Sequence, residues 1–232
     1  MRGKECGVKG IFMRENVFDI YPEEYDNWYE ENKFAYLSEL EALKKVVPAK
    51  GEGLEIGIGT GRFAQPLGIK TGIDPSSRML EIAKSRGIRT YLGVGEDLPF
   101  GDKVFDFILI VITICFVQNP EQVIKESKRV LKDNGRLIIG IIDKNSYLGK
   151  SYQEKKLQGH RFYKEASFYS TEEVVEMLKK HNFNRFTFYQ TIFHPVEKLN
   201  RIEKPEKGYG KGSFVVIVGE KEDETNGDKG SF

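Results

Sequence analysis

Cysteine, histidine and tryptophan are all scarce in this sequence. Its 232 residues include two cysteines, three histidines and a single tryptophan. The cysteines, Cys6 and Cys115, lie far apart, which argues against a disulfide framework and favours a reducing, cytoplasmic setting. The histidines are His160, His181 and His194, and none stands near another at the short spacing typical of metal ligands. We therefore predict no metal site.

Long apolar runs and an excess of one charge are also absent. The longest apolar run, residues 107–117, is broken by Thr113 and is too short to cross a bilayer. The first ten residues are charged and rich in glycine, unlike a signal peptide. Lysine and arginine number 36 against 35 aspartate and glutamate, a balance that provides no general attraction for nucleic acid. We expect a protein without a membrane span whose main partner is not nucleic acid.

Strand and helix patterns alternate through the middle of the chain. The strand patterns are short and apolar, and most precede a segment with the helical spacing of apolar residues. Strand patterns cover residues 53–57, 71–74, 88–92, 105–112 and 135–142, and helical patterns cover 62–67, 76–86 and 121–131. Such alternation predicts βαβ units, and hence an α/β fold with a parallel sheet.

The two ends of the chain depart from this alternation. Residues 21–47 have a helical pattern, whereas residues 144–170 are polar and aromatic without clear periodicity. Ser170 and Glu173 have the spacing of a capping box at the start of a later helix. We predict one domain with a loosely ordered start (1–16), a helical cap (17–48), a core (49–143), a lid (144–170), a C-terminal helix and strands (171–219) and a flexible tail (220–232).

Three alternate glycines follow the first strand pattern. Gly57, Gly59 and Gly61 lie in the segment LEIGIGTGR, residues 54–62, between a strand and a helix. Glycine lets the backbone turn sharply and approach a ligand closely, and a helix start offers free N–H groups. The segment alone predicts either a cofactor loop or an ordinary turn. Its last glycine comes one position earlier than in the G-x-G-x-x-G pattern of dinucleotide folds.

An acidic residue ends the second strand, seventeen residues after Gly57. From this position the carboxylate of Asp74 can accept hydrogen bonds from the two hydroxyls of a ribose. The alternative is that Asp74 is the N-cap of the next helix, with Pro75 at the first helical position. Combined with the glycine segment, Asp74 predicts a site for a cofactor that contains a nucleoside.

In this order, the segments resemble the class I S-adenosylmethionine-dependent methyltransferases, specifically the group that includes the ubiquinone-biosynthesis enzymes. The resemblance covers residues 21–137 and includes GEDLPF at 95–100, VFD at 104–106, and RVLK at 129–132 followed by Gly135. It implies a Rossmann-like fold: a seven-stranded, mostly parallel sheet with helices on both faces, an antiparallel last strand and a small lid.

The resemblance also implies S-adenosylmethionine as the cofactor. The residues implied at the cofactor are Glu55, Gly57, Gly59, Gly61, Asp74, Glu96, Asp97 and Val111. The glycines shape the loop, the acid of the second strand holds the ribose, Glu96 and Asp97 flank the adenine, and Val111 lies near the sulfonium. Tyr25 and Tyr29 belong to an aromatic entry helix that can close over the cofactor, and simple packing of that helix on the core is the alternative.

The sequence determines the acceptor side least. The family often has two histidines after the fourth strand, where this chain has Cys115 and Phe116. Asp143, after the fifth strand, is a candidate base or a turn cap. The candidates in the lid are Tyr152, His160, Arg161 and Tyr163. His160 is a second candidate base, with an exposed loop position as the alternative.

We predict transfer of a methyl group from S-adenosylmethionine to a small-molecule acceptor by in-line displacement. One alternative is a methyltransferase that acts on tRNA or protein, which predicts a basic, aromatic face around residues 150–164. A second alternative is an NAD-dependent oxidoreductase, which predicts pyrophosphate contacts at the glycine loop. A third is a non-enzymatic S-adenosylmethionine-binding regulator that has lost its acceptor pocket.

Overall fold

The structure, a computed structural model, describes residues 17–222. The predictions for residues 1–16, including Cys6, and for residues 223–232 lie outside the described residues. Two residues of the predicted tail, Glu220 and Lys221, instead belong to the last strand, where Lys221 is buried and its ammonium group donates to the Leu131 carbonyl oxygen at 2.7 Å.

The strands form a single eight-stranded mixed sheet. They are β1 (Gly53–Ile56), β2 (Thr71–Asp74), β3 (Arg89–Leu92), β4 (Phe105–Val111), β5 (Leu131–Ile142), β6 (Phe183–Thr191), β7 (Glu206–Lys207) and β8 (Phe214–Lys221), in the order β3-β2-β1-β4-β5-β8-β6-β7. Strands β1 to β5 pair in parallel, whereas β8 is antiparallel to β5 and β6. The predicted Rossmann-like sheet with an antiparallel last strand is confirmed. The two-residue β7 adds an eighth strand at one edge, within a charged loop that has no strand pattern.

Helices cover both faces of the sheet. They are α1 (Val17–Ile20), α2 (Pro22–Glu31), α3 (Lys33–Leu43), α4 (Ala64–Leu67), α5 (Ser77–Ser85), α6 (Pro120–Val130), α7 (Tyr147–Leu157) and α8 (Thr171–Lys180). The helical pattern of residues 21–47 is split at Asn32, whose φ and ψ of −110° and 42° are not helical. The lid contains α7, which the sequence did not indicate because its buried residues, such as Leu148 and Tyr152, are few and surrounded by polar ones. The predicted capping box of Ser170 and Glu173 is present at the start of α8.

The central strand β4 divides its side chains between two hydrophobic clusters. Phe107, Leu109 and Val111 pack on the face covered by α3, whereas Ile108 and Ile110 pack on the face covered by α6 and α8. Successive side chains of a strand point to opposite faces, so an entirely apolar strand is buried on both. Because β1, β2, β4 and β5 pair in parallel, their carboxyl ends lie together at one edge of the sheet.

Two carboxyl groups lie inside this apolar framework. Glu39 of α3 and Glu55 of β1 are each 1% exposed, and one oxygen of each has no hydrogen-bond partner among the described residues. Burial raises the pKa of Glu39 to about 8 and that of Glu55 well above its ordinary value, although the Ala64 N–H partly opposes the second shift. Because burial disfavours the charged form, each group costs stability when it ionises.

The burial of Glu39 predicts a specific pH dependence of stability. An unfolded Glu39 ionises near 4.5 and the folded one near 8, so between these values the folded state binds more protons and the free energy of unfolding falls as pH rises. We expect Glu39→Gln to remove a decline of up to about 1.4 kcal/mol per pH unit in this window. Urea unfolding at several pH values measures it. Glu41 of the same helix, whose side chain is 43% exposed, provides the control, Glu41→Gln, and equal pH slopes for wild type and Glu39→Gln would contradict the expectation.

Candidate cofactor and acceptor site

The glycine loop occupies the carboxyl end of β1. Gly57, Gly59 and Gly61 all have positive φ, of 69°, 52° and 81°. The N–H of Gly57 donates to the Ile73 carbonyl oxygen of β2 at 2.8 Å, which ties the loop to the neighbouring strand. A Cβ atom on Gly57 would lie 2.1 Å from Cγ2 of Thr113, so only glycine allows the loop to pass the segment after β4.

Asp74 faces this loop from the end of β2. Its carboxylate accepts from the backbone N–H of Gly59 at 2.8 Å and from that of Ser76 at 2.9 Å. The N-cap of α5 is Ser76, whose hydroxyl accepts from Met79, so Asp74 is not the helix cap. Burial raises the pKa of Asp74 to about 6, while the two backbone hydrogen bonds oppose that shift. Each carboxylate oxygen keeps a free lone pair, which suits two hydroxyl donors.

The two acids predicted at the adenine have different surroundings. The carboxylate of Glu96 accepts from the N–H groups of Gln118 and Asn119, at 2.9 and 3.1 Å, and so holds the turn before α6. Asp97 is exposed, and its carboxylate has no hydrogen bond to any residue that the structure describes. Asp97 is therefore the acid of the pair that is available to a ligand.

Exposed apolar side chains that the sequence did not single out lie beyond Asp74. Leu92 pairs with Asp74 in the sheet and is 58% exposed, and Val94 shortly after it is 39% exposed. Large apolar side chains at the open edge of a sheet, beside an acid, suit the flat face of a nucleobase. The signal in the sequence was weak because both residues look like an ordinary strand end.

The segment after β4 closes one wall of the site. Val111 is 5% exposed and packs in the core, and the next residue, Ile112, has a φ of 51°. The Cys115 carbonyl oxygen accepts from the N–H of Ser167 at 2.7 Å, which joins this segment to the lid. Burial raises the pKa of the Cys115 thiol to about 12, so this thiol is a small apolar group at neutral pH rather than a nucleophile.

A charged cluster fastens the N-terminal cap to the glycine loop. Asp26 of α2 accepts from both Arg62 and Arg86, in bidentate fashion, and from the Thr60 hydroxyl at 2.5 Å. Burial disfavours the charged form of Asp26, but these hydrogen bonds hold its pKa well below its usual range. The side chains of Asp26, Arg62 and Arg86 are all less than 20% exposed. Fork-shaped pairs of this kind are the stronger class of ion pair.

The predicted cap tyrosines lie against the loop. A Cβ atom placed on Gly59 would be 3.5 Å from the ring of Tyr25. The hydroxyls of Tyr25 and Tyr29 are 2.7 Å apart, and burial raises the pKa of both. The structure therefore brings together the glycine loop and the aromatic helix that the sequence placed over it.

The lid candidates form a stack of rings that meets the cap. Tyr163 stacks on Tyr152, with ring centroids 4.4 Å apart, and on His160 at 4.8 Å. Arg161 pairs with Glu24 of the cap at 3.1 Å and lies over the ring of Tyr21. His160 is largely exposed. Its partial burial, together with the nearby Lys155 and Arg161, lowers its pKa, so the ring is neutral at pH 7.

Both carboxylate oxygens of Asp143 accept hydrogen bonds from other residues of the fold. Its carboxylate accepts from the Asn145 N–H at 2.8 Å, from the Thr171 N–H at 2.8 Å and from the Thr171 hydroxyl at 2.6 Å. These bonds join the end of β5 to the start of α8 and correspond to the turn-cap alternative. Because its hydrogen bonds are all to residues that connect β5 with the lid and α8, we assign Asp143 to positioning the lid rather than to proton transfer.

Comparison with known proteins agrees with this geometry. A family model described as a methyltransferase domain matches residues 54–139, which run from β1 into β5. A solved S-adenosylmethionine-dependent methyltransferase from Thermotoga maritima is 49% identical and has a TM-score of 0.86, covering 88% of this chain and 98% of that one. This chain belongs to the S-adenosylmethionine-dependent methyltransferases.

Two further relatives bear on this family. An uncharacterised protein of Methanocaldococcus jannaschii is 54% identical over 89% of this chain and 99% of its own length. A demethylmenaquinone methyltransferase of Thermotoga maritima is 30% identical over 62% of this chain and 74% of its own length. The resemblance to quinone-biosynthesis enzymes that the sequence implied is confirmed.

The methyltransferase uses S-adenosylmethionine, and its residues fit that molecule. At Gly59 a Cβ atom would meet only the Tyr25 ring, which leaves room for close backbone approach, and a buried carboxylate with free lone pairs faces the loop. Between residues 17 and 222, His, Cys, Asp and Glu form no group able to hold a metal ion. In the same part of the chain, no helix is both long enough and apolar enough to span a membrane.

A substitution at Gly59 tests whether the cofactor approaches the backbone of the glycine loop. An alanine at 59 would meet only the Tyr25 ring, at an ordinary contact distance of 3.5 Å, so the protein itself has room for it. Because the cofactor would pass along this backbone, we expect Gly59→Ala to weaken binding of S-adenosylhomocysteine at least about tenfold, or ~1.4 kcal/mol. Isothermal titration calorimetry measures the affinity.

Gly68 provides the matched control for this substitution. Its φ of 72° is also positive and a Cβ there meets nothing within 4 Å, so Gly68→Ala carries the same backbone strain away from the loop. Both variants should lose similar stability, while Gly68→Ala keeps the wild-type affinity. Equal affinities for the two variants would show that the ligand does not approach Gly59.

Proposed function

We propose that this methyltransferase transfers the methyl group of S-adenosylmethionine to a small-molecule acceptor. The observation that carries the proposal is the position of the Phe18 ring. It contacts the rings of Tyr25 in the cap, Phe116 after β4 and Phe162 in the lid, at 5.5, 5.2 and 5.8 Å between centroids. The cap, the segment after β4 and the lid therefore meet through one ring close to the glycine loop. A site covered by three parts of the chain suits a small molecule rather than a polymer.

The residues proposed to hold the methyl donor follow from the same geometry. Asp74 would accept from the ribose hydroxyls, and Asp97 would face the adenine together with Leu92 and Val94. Glu55 lies beneath the loop with one unpartnered oxygen, which suits the positive ammonium end of the donor. Gly59 would provide the close backbone approach, while Gly57 and Gly61 let the loop pack against Thr113 and Ile88, and Val111 would support the floor of the site from the core.

For methyl transfer, the main task of the protein is to align the acceptor with the methyl donor. S-adenosylmethionine supplies an already activated methyl group on a sulfonium. The protein has to place the acceptor atom in line behind that group and to keep water away. The aromatic rings of the cap and lid supply the dry wall, and the clamp of Asp26 with Arg62 and Arg86 fixes the cap over the loop.

Relatives and surface charge both favour a small acceptor. The Thermotoga maritima structure is described as a possible histamine N-methyltransferase, and the other relative acts on demethylmenaquinone, as its name states. A tRNA acceptor would be attracted by an excess of basic residues, whereas lysine and arginine number 36 against 35 aspartate and glutamate in this chain. With two cysteines far apart, we also propose a cytoplasmic protein.

A transfer assay separates the proposal from its alternatives. Purified protein would be incubated with S-adenosylmethionine and, separately, small amines, phenols and thiols, bulk tRNA, and denatured protein, and the release of S-adenosylhomocysteine would be followed. We expect release with at least one small molecule and none with either polymer. Release with tRNA or protein alone would overturn the proposal. Binding of S-adenosylhomocysteine without release from any acceptor would favour the non-enzymatic regulator.

A further inference from the structure

The cofactor site is exposed at one end and covered at the other. At the adenine end, the side chains of Leu92 and Val94 are exposed. Beside the glycine loop, in contrast, Glu55, Thr60 and Asp74 are all 8% exposed or less. A cofactor that binds Glu55 and Asp74 is therefore covered by protein at the loop end.

The N-terminal cap covers both elements that flank Asp74. This acid lies between helix α5 and the glycine loop, where it accepts from the Gly59 N–H. On the loop, the Tyr25 ring of α2 lies 3.5 Å from the position of a Cβ atom on Gly59. On α5, the side chain of Arg78 donates to the Asp19 carbonyl oxygen of α1 at 3.4 Å. The cap thus bridges the two elements between which Asp74 lies.

One carboxylate attaches α2 to both of these elements. Asp26 accepts from Thr60 and Arg62 of the loop, and from Arg86 directly after α5. Arg86 also donates to the Thr60 carbonyl oxygen, so the partners of Asp26 are bonded to one another. Among the described residues, no other carboxylate pairs with Arg86. Charge-assisted, fork-shaped hydrogen bonds are strong and directional, so separating α2 from the loop requires breaking this cluster.

The break at Asn32 divides the cap into a part that can move and a part that cannot. The φ and ψ of Asn32 are −110° and 42°, between two helices. Helix α3 packs Leu40 and Leu43 into the core, whereas the buried residues of α2 are Pro22 and Tyr29. A non-helical residue at the end of two helices can change its φ and ψ without unwinding either one, which is the usual position of a hinge.

We propose that α1 and α2 form a latch over the cofactor. The latch releases by rotation at Asn32 each time S-adenosylmethionine enters or S-adenosylhomocysteine leaves, and the cluster of Asp26 with Thr60, Arg62 and Arg86 sets the rate of release. Because the cluster restrains entry and exit alike, weakening it accelerates both and changes the dissociation constant little. This inference concerns the cofactor alone and does not depend on the acceptor.

The test measures how fast S-adenosylhomocysteine binds to and leaves the full-length protein. Surface plasmon resonance gives both rate constants, and the fluorescence of Trp28, the only tryptophan of the chain, reports movement of α2. We expect Asp26→Asn to raise both rate constants by about tenfold or more, because the amide cannot pair with two guanidinium groups. Arg86→Lys, which keeps the charge but loses the fork, should raise both by a smaller factor.

A matched control removes the same charge from α2 without touching the cluster. Glu31 is exposed and accepts only from Asn27 of its own helix, so Glu31→Gln should keep both wild-type rate constants. Faster dissociation of Asp26→Asn with unchanged or slower association would make Asp26 a contact that stabilises the bound complex, and would overturn the latch. Unchanged rate constants in Asp26→Asn and Arg86→Lys would show that the cofactor enters from the exposed end, and would also overturn it. If thermal unfolding shows that Asp26→Asn does not fold, Arg86→Lys decides by the same criterion.

Discussion

The hydrogen bond from the Gly59 N–H to the Asp74 carboxylate is the contact on which the rest of the site depends. It joins the loop after β1 to the end of β2, and so connects the two parts of the proposed nucleoside site. The loop can reach that position because Gly57 passes Thr113 without a side chain. A buried carboxylate that is already oriented by two backbone donors needs no rearrangement when hydroxyl groups arrive.

A second set of contacts builds the acceptor side onto this frame. Asp26 holds α2 against Arg62 of the loop and Arg86 after α5, so the cap is attached to the glycine loop as well as, through α3, to the sheet. The cap then meets the lid through aromatic rings and through the pair of Glu24 with Arg161. We expect any opening for acceptor entry to occur between cap and lid, where the contacts are aromatic or exposed.

The sequence predicted the parts of the site that depend on local patterns. The glycine spacing and the acid after a short apolar strand are contiguous signals, and the structure places Gly59 and Asp74 in direct contact. The parallel part of the sheet followed from alternating strands and helices. Helix α7 was missed because few of its residues are buried, and β7 because a two-residue edge strand has no periodicity to detect.

The rest of the site depends on residues that are distant in the chain. Asp26 and Arg86 are 60 positions apart, and no pattern in either segment indicates their pairing. Glu96 and Asp97 are neighbours of the same charge, and only the fold shows that backbone donors occupy the first and leave the second exposed. Glu39 resembles any other charged residue of a helix until the fold buries it.

The most direct test of the central claim is calorimetric titration with S-adenosylhomocysteine of wild type and Asp74→Asn. The amide keeps the shape of the side chain but removes the charge and one acceptor oxygen, so we expect the affinity to fall by about 100-fold, the worth of one or two hydrogen bonds to a charged group. Asp102→Asn, at an exposed acid, should bind like wild type, and NAD should bind to none of the three proteins. Wild-type affinity in Asp74→Asn would contradict the assignment of the donor site to the glycine loop and Asp74.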